Sequence, residues 1–150
     1  MNVLTDMRNK LDFHVVFSAH MTLGHRPWLI TMKQNDTLHF PVVTINEGGG
    51  YDSETSTFTA PIAGVYRINL SVQKFRSYSM YLNVLCGSKS IINVFSIDIT
   101  QFENVSKSAI VKLSAGDECR VSTYHQHYRV YLAANNHENI NSFSGYLMHV

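Results

Sequence analysis

The segment Phe40–Leu70 reads FPVVTINEGGGYDSETSTFTAPIAGVYRINL and contains the clearest strand of the chain. Near its end, Tyr66 and Ile68 alternate with polar residues, and the alternation continues through Leu70 to Val72. A period of two residues places these apolar side chains on one face of a β-strand. The segment therefore predicts a half-buried strand over residues 65–72.

Outward from this strand, the chain is a succession of short alternating runs separated by turns. Such a pattern is typical of an all-β sandwich of two packed sheets. The predicted strands are 13–19, 38–46, 57–60, 65–72, 78–86, 91–99, 108–113, 118–124, 128–134 and 142–150. Only the first residues show helical spacing, so we interpret residues 1–12 as a lead-in segment and 13–150 as one globular domain.

The composition excludes several classes of protein. The chain has 150 residues, 12 Lys and Arg, 11 Asp and Glu, and a net charge of +1. Because phosphate binding depends on basic patches, this balance gives no reason to expect a nucleic acid partner. No apolar run reaches the length of about 18 residues that a membrane span needs. The charged fraction is only 15%, whereas Tyr, Phe and His each number eight.

A specific spacing of aromatic residues and glycine runs through the segment quoted above. Its members are Phe40, Asn46, Tyr51, Phe58, Gly64 and Tyr66. This spacing resembles the signature of the C1q globular domain. The family has further aromatic residues where this chain has Ile68 and Leu70, a change that keeps the inward face apolar. Residues 17–19, 108–117 and 143–147 also resemble, in order, the opening strand, a late hairpin and the closing strand of the family.

The resemblance implies a ten-stranded jelly roll of two five-stranded antiparallel sheets, assembled as a homotrimer. It also implies recognition without catalysis. Members of the family bind proteins, microbial surfaces or glycans, and short members without a collagen stalk are abundant in molluscs. Several of those are lectins, including sialic-acid-binding ones, and this chain resembles that group. We therefore expect a pattern-recognition lectin of innate immunity.

Two glycines are expected to have structural roles. Gly64 precedes the clearest strand, where we expect the chain to need a tight turn that an alanine would prevent. Gly145 lies within the apolar closing strand, where it would permit close approach of another chain segment. Residues 46–57 contain three glycines, and we interpret this stretch as a mobile loop because it leads into a strand and not into a phosphate-binding helix.

The expected ligand site combines aromatic, amide and basic side chains. A sugar offers a C–H face for stacking, its hydroxyls bond amides and histidines, and an acidic sugar adds a carboxylate that an arginine can grip. The candidate ligand-binding residues are Arg76, Tyr78, Tyr124, His125, His127, Tyr128, Arg129, Asn136, His137 and Glu138. Arg120 is a further candidate for an acidic sugar. The alternative is that aromatic residues here, with Tyr131 and Tyr146, line a subunit interface. We also expect the apolar second face of the strand 78–86, with Tyr81 and Leu85, to lie in a subunit contact of the trimer.

No catalytic motif is present, and we expect no enzyme and no resident cofactor. His125 and His127 would share one face of a strand, but no third zinc ligand stands at a diagnostic spacing. Some C1q-type trimers hold calcium near the apex, and Asp98 and Glu103 are the carboxylates that would serve there. A protein-binding head of cytokine or adhesion type remains the second functional hypothesis, because one fold supports both functions.

The two cysteines leave the redox state and the compartment open. Cys119 alternates inward with Val121 and is interpreted as a small buried hydrophobic residue, and a bond between Cys86 and Cys119 across the sheets is an alternative. The family implies an extracellular location. The first residues lack the apolar core of a signal peptide, so we expect a cytosolic chain, another export route, or a sequence that begins after processing.

Overall fold

A computed structural model describes residues 2–4, 14–21, 28–32, 36–74, 79–97, 100, 103–123, 128–132 and 141–150. For 28–32 and 128–132 it describes the backbone alone. Twelve strands lie in these ranges, namely β1 (Val16–His20), β2 (Trp28–Met32), β3 (Val42–Glu47), β4 (Tyr51–Asp52), β5 (Thr57–Thr59), β6 (Gly64–Lys74), β7 (Met80–Cys86), β8 (Lys89–Ser96), β9 (Glu103–Leu113), β10 (Glu118–Ser122), β11 (Tyr128–Leu132) and β12 (Ser142–His149).

Ten of these strands form two antiparallel sheets of five, which confirms the predicted jelly roll. The first sheet has the order β3-β1-β12-β6-β9, and the second has the order β4-β5-β10-β7-β8. The remaining pair, β2 and β11, joins the first sheet where Leu132 lies opposite Lys74. Strand β2 was not predicted from the sequence, and neither was the two-residue β4. Among the described residues, no helix combines the length and the apolar composition that a bilayer crossing demands.

The inward face of β6 is as the alternation predicts. Tyr66, Ile68 and Leu70 are fully buried, whereas Arg67 between them is exposed. Strand β9 pairs with β6 along its whole length, so the strand is longer than the predicted 108–113. The sequence predicted too short a β9 because polar residues fill much of its length. An edge strand can contain them, since it needs only one protected face.

The signature residues meet in one aromatic cluster between the sheets. Phe17 of β1 stacks on Phe58 of β5 with ring centroids 4.4 Å apart, and on Tyr51 of β4 at 5.2 Å. Tyr66 of β6 meets the edge of Phe58 at 5.7 Å. Phe143 of β12 contacts Phe17 in a T-shaped arrangement at 5.1 Å. Aromatic contacts of this kind add to the burial of apolar area, so the cluster joins the two layers.

The glycine-rich stretch is an ordered turn, and its interpretation as a mobile loop was wrong. The Asn46 side chain brackets it, because its amide donates to the carbonyl of Tyr51 at 2.8 Å and its oxygen accepts from the Tyr51 N–H at 3.1 Å. Gly48 and Gly49 both have positive φ, a conformation that side chains rarely allow. The Tyr51 hydroxyl then donates to the carbonyl of Phe40 at 2.7 Å. Asn46 thus explains why the signature places an amide six residues after Phe40.

Gly64 has a different role from the predicted one. Its φ is not positive, so the position does not need glycine for its backbone conformation. A Cβ at Gly64 would instead lie 2.6 Å from Leu147 Cδ1 and 2.7 Å from the carbonyl oxygen of His149. Gly145 matches the expectation, since a Cβ there would lie 2.8 Å from Phe17 Cε1. Close packing against β12, rather than a turn, therefore requires Gly64.

Cys86 and Cys119 form a disulfide, the alternative that the sequence left open, and Cys119 is buried as predicted. The bond does not, however, cross between the sheets. Cys86 ends β7 and Cys119 lies directly opposite it in β10, with Cα atoms 4.1 Å apart. Neighbouring strands within one sheet bring opposed side chains this close, so register, which sequence spacing does not show, decides the pairing.

We expect the Cys86→Ser/Cys119→Ser double variant to lose about 3–4 kcal/mol of unfolding free energy, because the bond closes a loop across 33 positions of the sequence. Urea unfolding of wild type and variant, each with and without dithiothreitol, measures this loss. Reduction should destabilise the wild type and leave the variant unchanged. An unfolding midpoint that is equal for oxidised and reduced wild type would contradict the bond.

The buried Tyr51 predicts a loss of stability at alkaline pH. Burial, and secondarily the nearby Asp52 carboxylate, raise the pKa of Tyr51 above its ordinary value of 10.0, and a hydrogen bond with Ser56 partly opposes them. The unfolded chain ionises near pH 10 while the folded one keeps its proton. The contribution is therefore complete below pH 10 and is lost as pH rises through the folded-state pKa.

Measured against the wild type, Tyr51→Phe should show a shallower fall in unfolding free energy above pH 10, by up to about 1.4 kcal/mol per pH unit. At neutral pH the same variant should be about 1 kcal/mol less stable, since the carbonyl of Phe40 loses its donor. Denaturant unfolding at pH 8 and at several values above pH 10 tests both statements. Parallel curves for the two proteins above pH 10 would show that Tyr51 is not the group responsible.

Candidate functional site

One end of the sandwich, which we call the loop end, differs from the rest of the molecule. Here β6 ends at Lys74, β8 ends at Ser96 and β10 ends at Ser122. The register places the end of β1 and the start of β12 at the same level, because His20 pairs with Ser142. The opposite end of the sandwich contains the start of β1 and the end of β12.

Buried polar residues are concentrated at the loop end. The described polar or charged residues that are buried are His20, Ser56, Lys74, Asn83, Ser96, Ser122, Thr123 and Asn141. All of them except Ser56 lie in or beside strand segments at the loop end. A buried polar group costs free energy unless it is hydrogen-bonded. The interior at the loop end therefore depends on specific hydrogen bonds, whereas the rest of the interior depends on apolar packing.

Asn141 joins three strands at the loop end. Its side-chain oxygen accepts a hydrogen bond from the backbone N–H of Gln73, at the end of β6, over 2.9 Å. Its own carbonyl accepts from the N–H of Met21, which follows β1, over 3.1 Å. Asn141 itself directly precedes β12 and is 1% exposed. The strand ends are therefore fixed relative to one another by one residue.

A second set of contacts joins the two sheets at this end. The Ser96 hydroxyl, on β8, donates to the carboxylate of Glu103 on β9. Glu103 lies opposite the fully buried Lys74 in the β6–β9 register, where opposed side chains are near neighbours. Within the second sheet, the Thr123 hydroxyl, just after β10, donates to the carbonyl of Tyr81 in β7 over 2.9 Å. Glu103 thus has a protein partner, and Asp98, the other carboxylate considered for calcium, lies outside the described residues.

The predicted ligand-binding residues are not tested by this structure. Arg76, Tyr78, Tyr124, His125, His127, Asn136, His137 and Glu138 lie outside the described residues. The backbones of Tyr128 and Arg129 lie in β11, opposite Met32 and Thr31 of β2. Their side chains, and that of Tyr131, also lie outside the description.

The structure does show where the segments that contain these residues are attached. Lys74 precedes one segment, Thr123 precedes the second, and the third lies between Leu132 and Asn141. All four of these residues are at the loop end, and Leu132 and Lys74 are direct partners. Three stretches that are up to sixty residues apart in sequence therefore start from the same end of the sandwich, which the sequence alone did not show.

Arg120, the remaining candidate arginine, lies on the outer face of the second sheet. Its guanidinium donates to the hydroxyl of Thr37 over 3.1 Å, and the residue is half-buried. Arg120 therefore anchors the segment before β3 to β10. This contact assigns it a structural role beside its expected ligand-binding one.

A surface that the sequence analysis did not assign to ligand binding lies on the outer face of β7 and β8. Tyr81 and Phe95 are opposite one another there, with ring centroids 6.4 Å apart and ring planes 12° from parallel. The next outward pair along the strands is Asn83 and Asn93. The mixed second face of β7 was visible as an alternation, but its pairing with Phe95 depends on register.

The Asn141→Ala variant should lose about 1–3 kcal/mol of unfolding free energy, because the N–H of Gln73 would be left without its acceptor. Asn104→Ala is the matched control, since Asn104 is exposed on β9 and should change stability by less than about 0.5 kcal/mol. Urea unfolding monitored by fluorescence measures both. Equal stability of the two variants would mean that Asn141 does not hold the strand ends.

Comparison with known proteins agrees with this architecture. The chain is 26% identical over 124 residues to human complement C1q tumor necrosis factor-related protein 3, a match that covers 77% of this chain and 46% of the relative. It is 21% identical over 127 residues to mouse complement C1q tumor necrosis factor-related protein 6, covering 85% and 48%. The chain thus spans about half the length of these curated relatives.

Solved structures show the same fold at low sequence identity. The globular domain of zebrafish complement 1qA superposes with a TM-score of 0.65 at 15% identity, covering 90% of this chain and 97% of that one. Murine APRIL superposes with a TM-score of 0.63 at 10% identity, covering 90% and 99%. A family model, the C1q domain, matches residues 16–148. The chain belongs to the C1q domain family.

Proposed function

We propose that this protein is a non-catalytic recognition head that assembles as a homotrimer and binds glycans through its loop end. Sialylated or other acidic glycans are the preferred ligands, with Arg76 and Arg129 as the groups that hold the carboxylate. The observation that carries the proposal is that the residues flanking the three candidate segments lie at the end where the polar interior is concentrated. A rigid scaffold that presents loops at one end is the usual arrangement of a binding protein.

The polar interior supports binding because it fixes the ends from which the loops depart. The contacts of Asn141 and of Thr123 hold β1, β6, β7 and β12 in place at the loop end. A preorganised site loses less conformational entropy when a ligand binds, and this matters for sugars, which bind weakly to single sites. The start of β1 and the end of β12 lie at the opposite end of the sandwich.

A trimer is supported by the outer face of the first sheet. Apolar side chains are exposed there at Ile45 of β3, Ile110 of β9 and Tyr146 of β12, which are 37%, 63% and 39% exposed. Apolar side chains on a sheet face favour association with another surface. The expectation that Tyr146 lies in a subunit contact agrees with this exposure. Three sites in one particle would raise a weak affinity for a dense glycan surface by avidity.

The disulfide between Cys86 and Cys119 supports an extracellular location. Such bonds form and persist in oxidising compartments and are rare in the cytosol. Secretion is therefore part of the proposal, and it fits a lectin of innate immunity that meets microbial or cell-surface glycans.

A protein ligand is the second candidate function. It is favoured by Phe95 and Ile97, which are 56% and 66% exposed at the end of β8. Exposed apolar residues beside a loop cluster are also found where a receptor docks. The two hypotheses differ in one measurable respect, since enzymatic removal of glycans from a target surface would abolish only the first kind of binding.

An array of neutral and sialylated oligosaccharides tests the proposal directly. The purified trimer should bind a subset of sialylated glycans, and sialidase treatment of the array should remove that binding. Arg129→Lys should weaken it about tenfold, because lysine lacks the planar fork that grips a carboxylate with two bonds. Lys89→Ala, on the exposed turn end of β8, is the control and should bind as the wild type does. Trimeric protein that binds no glycan above background would refute the proposal.

A further inference from the structure

We propose that the outer face of β7 and β8 at the loop end is a sugar-stacking surface, which receives a neutral sugar ring on Phe95. The inference rests on the proposed function and places part of the binding surface on two ordered strands. It adds Phe95, Asn93 and Ser90 to the groups that contact the ligand. The neutral ring would be the residue next to the acidic sugar in a sialylated chain.

The aromatic part of this surface is open. Phe95 is the second-last residue of β8 and is 56% exposed, although it is a large apolar side chain. Tyr81 supports it from β7, with nearly parallel rings 6.4 Å apart. The face of an aromatic ring carries partial negative charge, which attracts the polarised C–H groups on one face of a sugar. Tyr81 would hold Phe95 in an orientation that presents the ring.

The polar part lies in the next row along the same face. Ser122, Asn83 and Asn93 are cross-strand neighbours on β10, β7 and β8. The Asn83 amide donates weakly to the Ser90 hydroxyl over 3.4 Å, and Ser90 donates to Asn93 Oδ1 over 2.9 Å. Asn93 and Ser90 are exposed. The chain of hydrogen bonds therefore leads from a buried amide to two groups that a ligand can reach.

Asn83 supplies the observation that points to a ligand. The residue is 3% exposed, and its Oδ1 has no hydrogen-bond partner among the described residues. A buried unpaired acceptor costs about 1–3 kcal/mol, and the weak bond to Ser90 links this strained amide to the exposed part of the row, where a ligand hydroxyl would contact Ser90 and Asn93.

The arrangement fits a sugar better than an apolar protein segment. Residues two apart on a strand are about 7 Å apart, so a ring on Phe95 has its edge hydroxyls near Asn93. Asn93 and Ser90 offer donors and acceptors in mixed directions, as hydroxyls require. An apolar side chain laid over the same row would desolvate these groups without pairing them, which weakens binding.

Substitutions at Phe95 separate ring stacking from general apolar contact. The probes are lactose and 3′-sialyllactose, measured by saturation-transfer NMR and by titration calorimetry on the trimer. Phe95→Ala and Phe95→Leu should each weaken binding about tenfold, while Phe95→Tyr should stay within about threefold of wild type. Leucine keeps an exposed apolar side chain but has no flat face. Val150→Ala, 57% exposed at the opposite end of the sandwich, should have no effect.

The polar row has its own test. Asn93→Ala should weaken binding about fivefold, and Asn104→Ala on the first sheet is the matched control that should not. All four substituted positions in these two tests are exposed or half-exposed, so the variants should fold, and a circular dichroism melt checks this. Equal affinity of wild type, Phe95→Leu and Asn93→Ala would overturn the stacking surface and leave the proposed function intact. Wild type that binds neither lactose nor 3′-sialyllactose would overturn this inference, whereas the oligosaccharide array decides the proposed function separately.

Discussion

The fold depends on the contact between Phe17 and Phe58, which stack across the two sheets at 4.4 Å. Phe17 belongs to β1, between β3 and β12 of the first sheet, and Phe58 belongs to the short β5 of the second. A strand of three residues has few ladder hydrogen bonds, so packing against Phe17 must hold it. Gly145 is required for the same reason, since a Cβ there would collide with Phe17. Two further residues of the family signature extend this contact, since Tyr51 stacks on Phe17 and Tyr66 meets the edge of Phe58.

The two ends of the sandwich are built on different physical terms. At the end that contains the start of β1 and the end of β12, apolar packing of aromatic residues stabilises the sheets. At the loop end, buried side chains such as Asn141 and Lys74 replace part of that packing, and each needs a hydrogen-bonding partner. A polar interior of this kind tolerates fewer substitutions than an apolar one, and its hydrogen bonds fix the positions of the strand ends more specifically. That geometry is what a set of recognition loops requires of its scaffold.

Much of the fold could be predicted because alternation and signature spacing are local properties. The strand over 65–72, the inward Tyr66 and Ile68, and the single C1q-like domain core all follow from them. Features that depend on register did not follow from the sequence. The Cys86–Cys119 pair, the packing role of Gly64 and the Tyr81–Phe95 pair depend on which residues of two strands lie opposite each other. The candidate site was predicted from residue type alone. The sequence therefore indicated which chemical groups could bind a ligand but not where in the fold they lie.

By itself, the sequence determined the fold class, the family and the absence of a strong charge, because composition and periodicity depend only on neighbouring residues. The tertiary structure decided which segments share an end of the sandwich. Lys74, Thr123 and Asn141 are far apart in the chain, and antiparallel pairing brings them to one level. The unpaired oxygen of Asn83 likewise could not be predicted from the sequence, since an amide lacks a hydrogen-bond partner only when packing excludes the water that would bind it.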